Sequence, residues 1–128
     1  MIDDAIYTLL TTDPTVSGIV GDKVFPNFVP IDTPLPAISY RRLAVTDRAI
    51  YHNGIRPGAK SRYQFMCITL KPIDSKTLSE GVRTLFNGFS GTVGSDLIYV
   101  ASIVNEVDLS DKDLGFTVAI DVLFTHKE

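Results

Sequence analysis

Apolar positions recur along this chain with two different periods, and the switches between them mark out its elements. Phe116, Val118, Ile120, Val122 and Phe124 occupy every second position, with Thr117, Ala119, Asp121 and Leu123 between them. A two-residue period predicts a strand, here with one fully apolar face. Tyr63, Phe65 and Cys67 alternate with Gln64, Met66 and Ile68 in a second strand starting near Arg62. Ala37 to Val45 reads as a third, with Ile38, Tyr40 and Arg42 on one face and Ala37, Ser39, Arg41 and Leu43 on the other. Leu97 to Val107, LIYVASIVNEV, is a fourth β-rich run, and Lys23 to Pro26 is a short extended piece.

The other period is helical. Leu78, Val82, Leu85, Phe86 and Phe89 fall on one stripe, the signature of a helix packed by one face. Asp74 is the expected N-cap, with Ile73 and Leu78 at hydrophobic-staple spacing. Asn87-Gly88 is the expected stop, because glycine takes the left-handed conformation at C′. Ile2, Ile6, Leu9 and Leu10 fit a helix near the start, with Asp3 and Asp4 where the dipole favours acids. Asp13-Pro14 begins a short helical turn through Val16, Ile19 and Val20, which Gly21 ends. Pro26, Pro30, Pro34 and Pro36 enforce an irregular connection. Thr92 to Asp96 reads as a glycine-broken turn, and Leu109 to Gly115 as an acidic one. The predicted fold is α+β: an antiparallel sheet of about four strands, helices packed on one face, and a long hairpin loop. One domain spans 1–128.

That loop, Thr46 to Ser61, holds the turn pairs Asn53-Gly54 and Pro57-Gly58. Structureless loops of this length in a compact domain are usually functional or disordered. It carries Arg48, Arg56 and Lys60, with the apolar Ile50, Tyr51 and Ile55. An isolated hairpin tip has no reason to present such apolar groups to water. They either fold back on the core or form an arm that orders on a neighbouring subunit. The arm is the favoured expectation, with Arg48, Ile50, Tyr51, Ile55, Arg56 and Lys60 as its contact residues.

Composition adds a core and a polarity. Hydrophobic residues are 45% of 128, enough for a packed interior. No apolar run approaches the ~20 residues of a membrane helix, and the acidic start Met1-Ile2-Asp3-Asp4 predicts no secretory leader. The net charge is −3, yet Arg41 to Arg83 holds nine basic residues and three acids, +6, which leaves −9 for the flanks. Such a bipolar chain suits stacking on copies of itself, unless the signs cancel in three dimensions. The overall acidity weighs against a nucleic-acid binder.

Catalytic constellations are sparse. His52 and His126 have no partners at metal-ligand spacing. Cys67, the only cysteine, lies between Phe65 and Thr69 and reads as a core thiol. Glu106, Asp108, Asp111 and Asp113 lack the spacing and terminal bidentate Glu of a calcium loop and read as a solvated turn. Asp121, on the less apolar face of its strand, is expected to pair across it. No cofactor, metal site or enzymatic activity is expected.

The ordered set of segments resembles the tail terminator, or tail completion, proteins of tailed bacteriophages and prophages. The segments are MIDDAIYTLLTTDPTVSGIVGDKVFP, then LPAISYRR after the proline-rich link, a variable hairpin tip, RYQFMCIT, SKTLSEGVRTLFNGFSG, and two final strands ending in FTVAIDVLFTH. The resemblance covers nearly the whole chain, LPAISY and the strand-helix-glycine unit above all. It implies a structural protein of the virion tail, at the head-proximal end, assembled in the host cytoplasm. It implies a homo-oligomeric ring, typically a hexamer, that caps the tail tube, stops its polymerisation and meets the head connector. The major tail tube protein and a connector or stopper protein would be its partners, with DNA passing through the lumen without specific binding. The alternative from the residues alone is a small ligand-binding or enzymatic α+β domain, which predicts an apolar pocket with converging polar groups.

Overall fold

The structure, a computed structural model, describes residues 2–46, 58–109 and 115–127. Its elements run α1 (Ile2–Thr12), α2 (Pro14–Val20), β1 (Val24–Pro26), β2 (Ala37–Thr46), β3 (Gly58–Thr69), α3 (Pro72–Phe86), β4 (Gly91–Val93), β5 (Asp96–Asp108) and β6 (Phe116–Lys127). The strands form one sheet in the order β1-β2-β3-β6-β5-β4. The four long strands are the four expected, and they pair antiparallel. The expectation of about four is corrected to six among the described residues. β1 and β4 add an edge each, and β1 pairs with β2 in parallel, so the sheet is mixed. β1 coincides with the expected extended piece Lys23 to Pro26, whereas β4 falls where a glycine-broken turn is expected, because three residues are too few to display a period.

One apolar face of the sheet meets all three helices. Ile6 and Leu10 of α1, Val16 and Val20 of α2, and Leu78, Val82 and Phe86 of α3 share a core with Ile38, Phe65, Ile120, Val122 and Phe124. The helical stripe is therefore buried as expected, with Leu85 and Phe89 packed at its margin. Four aromatic rings sit at the centre. Phe65 stacks on Phe86 with centroids 4.9 Å apart, and Phe124 meets Phe86 edge-on at 5.4 Å. Tyr63 and Phe65 complete the contacts of Phe124 at 5.7 and 6.4 Å. The alternation of β6 fades at its start, since Phe116 is 37% exposed.

The helix ends are set by backbone chemistry. Asp13 caps α2 as expected, its carboxylate accepting from the Val16 N–H at 3.0 Å, with Pro14 in the first turn. For α3 the expected cap is corrected. Lys71 holds the N-cap position and Pro72 starts the helix, because proline's fixed φ suits the first helical residue. Asp74 lies inside the first turn, where the helix dipole favours it. Ile73 is 71% exposed, so no staple forms. Gly88 ends the helix at φ 80°, and its N–H donates to the Ala101 carbonyl of β5 at 2.8 Å. At Gly115 (φ 78°) a side chain would bring Cβ within 2.7 Å of the Thr69 carbonyl oxygen, so only glycine fits this entry to β6. The loop between β2 and β3 is also shorter than expected, because β3 begins at Gly58, opposite Lys127.

Candidate assembly surfaces

Of the six expected arm residues, Arg48, Ile50, Tyr51, Ile55 and Arg56 lie outside the described residues. Lys60 is placed on β3 between Thr46 and Thr125. It is exposed, on the sheet face turned away from the helices.

That outer face is organised in cross-strand rows. Ala37, Ile68 and Thr117 form one, Ser39, Met66 and Ala119 the next, and Arg41, Gln64 and Asp121 the third. The first two are apolar or small. Ser39, Met66, Ile68 and Thr117 from these rows, with Arg41 and Gln64 of the third and Asn27, Phe28 and Val29 of the proline-rich link, line an open groove of about 380 Å³. The third row starts the polar half. Arg41 donates to Gln64 at 3.3 Å, and the Arg62 guanidinium meets the Asp121 carboxylate at 2.6 Å. Asp121 is only 5% exposed, and an arginine meets its carboxylate there, as a buried acid requires. The expected cross-strand pairing of Asp121 is thus observed.

The segregation of charge survives in part. Arg41, Arg42, Lys60 and Arg62 sit together on β2 and β3, while Glu106 and Asp108 sit near the end of β5. Ion pairs among the described residues also join the signs within the molecule. Arg62 holds Asp121, and Arg83 Nε lies 3.0 Å from Glu106 Oε1, an ion pair between half-exposed side chains. Arg83 lies near Glu80 as well, at 3.9 Å.

Beneath α1, the Tyr63 hydroxyl donates to the Asp3 carboxylate and ties the helix start to β3. Burial, then this hydrogen bond and the Asp3 charge, push the Tyr63 phenol well above the ordinary tyrosine range, against an opposing pull from Arg42. Burial, then Asp3 and Asp4, also raise Tyr40. Burial pushes the Cys67 thiol up to about 12, consistent with an inert core position. Tyr40 and Tyr63 line a small cavity of about 280 Å³ with Asp3, Arg41 and Arg42, whereas Cys67 sits in the core. All three groups are held neutral by the fold. Because their folded values exceed their unfolded ones, their contribution is complete below the unfolded pKa and is lost as pH rises. Urea unfolding from pH 7 to 11 is expected to show stability falling once the pH passes about 9, the ordinary value for the thiol. Cys67→Ala should flatten the first part of that fall and Tyr63→Phe the later part. A flat profile to pH 11 would contradict the assignment.

The sequence did not reveal two open strand edges. β2 is ten residues long, but β1 covers only Ile38 to Tyr40. β5 is thirteen long, but β4 covers only Asp96 to Ile98, and the end of α3 adds contacts at Ala101. Among the described residues, β2 beyond Tyr40 pairs only with β3, and β5 beyond Ala101 only with β6. Arg41 to Ala44 and Val104 to Asp108 are exposed on both faces. The signal in the sequence was the breakdown of alternation at Arg41-Arg42 and Asn105-Glu106, each beside a β-bulge. Beside the β5 edge, Glu80, Arg83, Thr84, Asn87 and Ile103 line an open cavity of about 630 Å³.

No family model matches the chain, and no curated protein matches it. A similar fold occurs in a solved structure described as the virion of a native gene transfer agent particle. The match has a TM-score of 0.73 at 18% identity and covers 98% of this chain and 92% of that one.

Proposed function

We propose that this chain is a structural subunit of a phage-like virion, acting as a tail terminator. Copies would close into a ring on the finished tail tube, stop its polymerisation and present a surface to the head connector. The observation that carries this reading is the full-length likeness in fold to a chain of a gene transfer agent virion. The order of segments in the sequence, which resembles the terminator family throughout, narrows that virion role to the tail. The charge pattern of the molecule supports a ring in particular. A ring needs two different patches, one meeting the other on the next copy, and the basic β2–β3 half and the acidic end of β5 are such a pair. A hairpin arm with Arg48, Ile50, Tyr51, Ile55 and Arg56, beside Lys60 on β3, would add the contact to a neighbour or to the tube.

Sedimentation at micromolar concentration, with and without tail tube protein, tests the reading. A discrete oligomer, formed alone or on the tube, is expected. A monomer in both conditions would overturn it.

A further inference from the structure

Resting on the ring reading, we infer that neighbouring subunits join by strand addition: the open edge of β2 in one copy pairs antiparallel with the open edge of β5 in the next. The backbone directions follow from hydrogen bonds within the subunit. The Leu109 N–H donates to Thr117 of β6 at 2.8 Å. Neighbouring residues of a strand point their backbone groups to opposite sides, so Glu106 and Asp108 turn theirs away from β6. On β2, the Tyr40 carbonyl accepts from Asn27 and the Ile38 N–H donates to Lys23, both on the β1 side. Two residues on, Arg42 points its backbone groups to that same side, where β1 has ended.

Strand sense and position then agree. β2 and β3 are antiparallel, as are β3 and β6, and β6 and β5, so β2 and β5 run in opposite directions. A copy moved sideways without being turned over therefore sets its β5 antiparallel to the β2 of its neighbour. The exposed part of β2 lies at the sheet end that holds Lys127, and the exposed part of β5 at the end that holds Phe116. β1 and β4 occupy the remaining halves and act as stops on the sliding of one copy past the next. The resulting stagger is what a closed sheet requires, since tilted strands in a barrel step in register around it.

The side chains match as well. Arg42 pairs with Tyr63, and Glu106 with Ile120, so both lie on the helix-bearing face. An added β2 would carry Arg42 toward Glu106 and Asp108, beside the open cavity bordered by Glu80 and Ile103. Charges and bulges on exposed edges deter pairing with arbitrary strands. Opposite signs on the two edges make a second copy the partner that this defence admits.

The test uses the full chain, with assembly followed by sedimentation and folding by thermal unfolding. Arg42→Glu and Asp108→Lys are each expected to weaken assembly by roughly tenfold, and the double variant to recover most of the loss. Glu106→Pro should abolish assembly by removing an outward N–H while sparing the ladder to β6. Glu106→Ala, which loses only the side chain, should still assemble. Assembly unchanged in Glu106→Pro and in both charge variants would overturn the strand pairing while leaving the ring intact. Loss of assembly without recovery in the double variant would overturn the proposed charge match and the pairing built on it. A wild-type chain that stays monomeric, alone and with tail tube protein, would overturn the ring reading itself.

Discussion

Phe124→Ala is expected to lower the free energy of unfolding by about 3–5 kcal/mol. Phe124 is fully buried and touches Tyr63, Phe65 and Phe86. Its removal would leave a cavity between β6, β3 and α3, three elements whose backbones are fixed by their own hydrogen bonds, so collapse into the gap would be limited. Domains of this size hold only about 5–15 kcal/mol in total, so a melting temperature lower by roughly 10–20 °C is expected. Phe116→Ala is the internal control. It lies on the same face of the same strand, yet it is 37% exposed at the strand's start, and about 1 kcal/mol or less is expected. Urea and thermal unfolding by circular dichroism would measure both. Equal effects would show that the aromatic cluster is not the centre of the core.

Deleting residues 50–57 is expected to leave the fold intact and to weaken assembly by at least about tenfold. The deletion stops short of Gly58, because β3 begins there against Lys127. Thr46 and Lys60 remain paired across β2 and β3, and the shortened connection has a length that hairpins commonly use. The unfolding free energy should then change by about 1 kcal/mol or less, as for a surface change. If the deleted chain unfolds, Ile50, Tyr51 and Ile55 belong to the core and the arm does not exist. If it folds and assembles as before, the arm is not a contact. The edge pairing between β2 and β5 makes no use of these residues, so the two contacts are tested independently.

Much of the fold was legible because its long elements carry complete periods. The stripe through Leu78, Val82 and Phe86, the alternation through Ile120, Val122 and Phe124, and the Asp13-Pro14 start each rest on neighbours in sequence. The start of α3 was misread because two signals competed. Asp74 has the side chain of a cap, but Pro72 already fixes a helical φ two residues earlier. β1 is visible as the short extended piece Lys23 to Pro26, but its parallel pairing with β2 is not, and β4 reads as a turn because three residues show no period and its pairing depends on a distant segment. The candidate site was less legible for the same reason. Whether an edge is open depends on where its neighbour stops: β1 ends opposite Tyr40, and the break in alternation at Arg41-Arg42 marks the spot without showing that the neighbour has ended. Pairing of Arg62 with Asp121 was half visible, since the face of Asp121 was clear and the register that selects Arg62 was not.

The central claim is that copies of this chain close into a ring on a tail tube. Electron micrographs of the purified chain mixed with assembled tail tubes test it most directly. Closed rings of uniform diameter seated at one end of each tube are the predicted result. Tubes with bare ends, beside a chain that remains as single subunits, would contradict it.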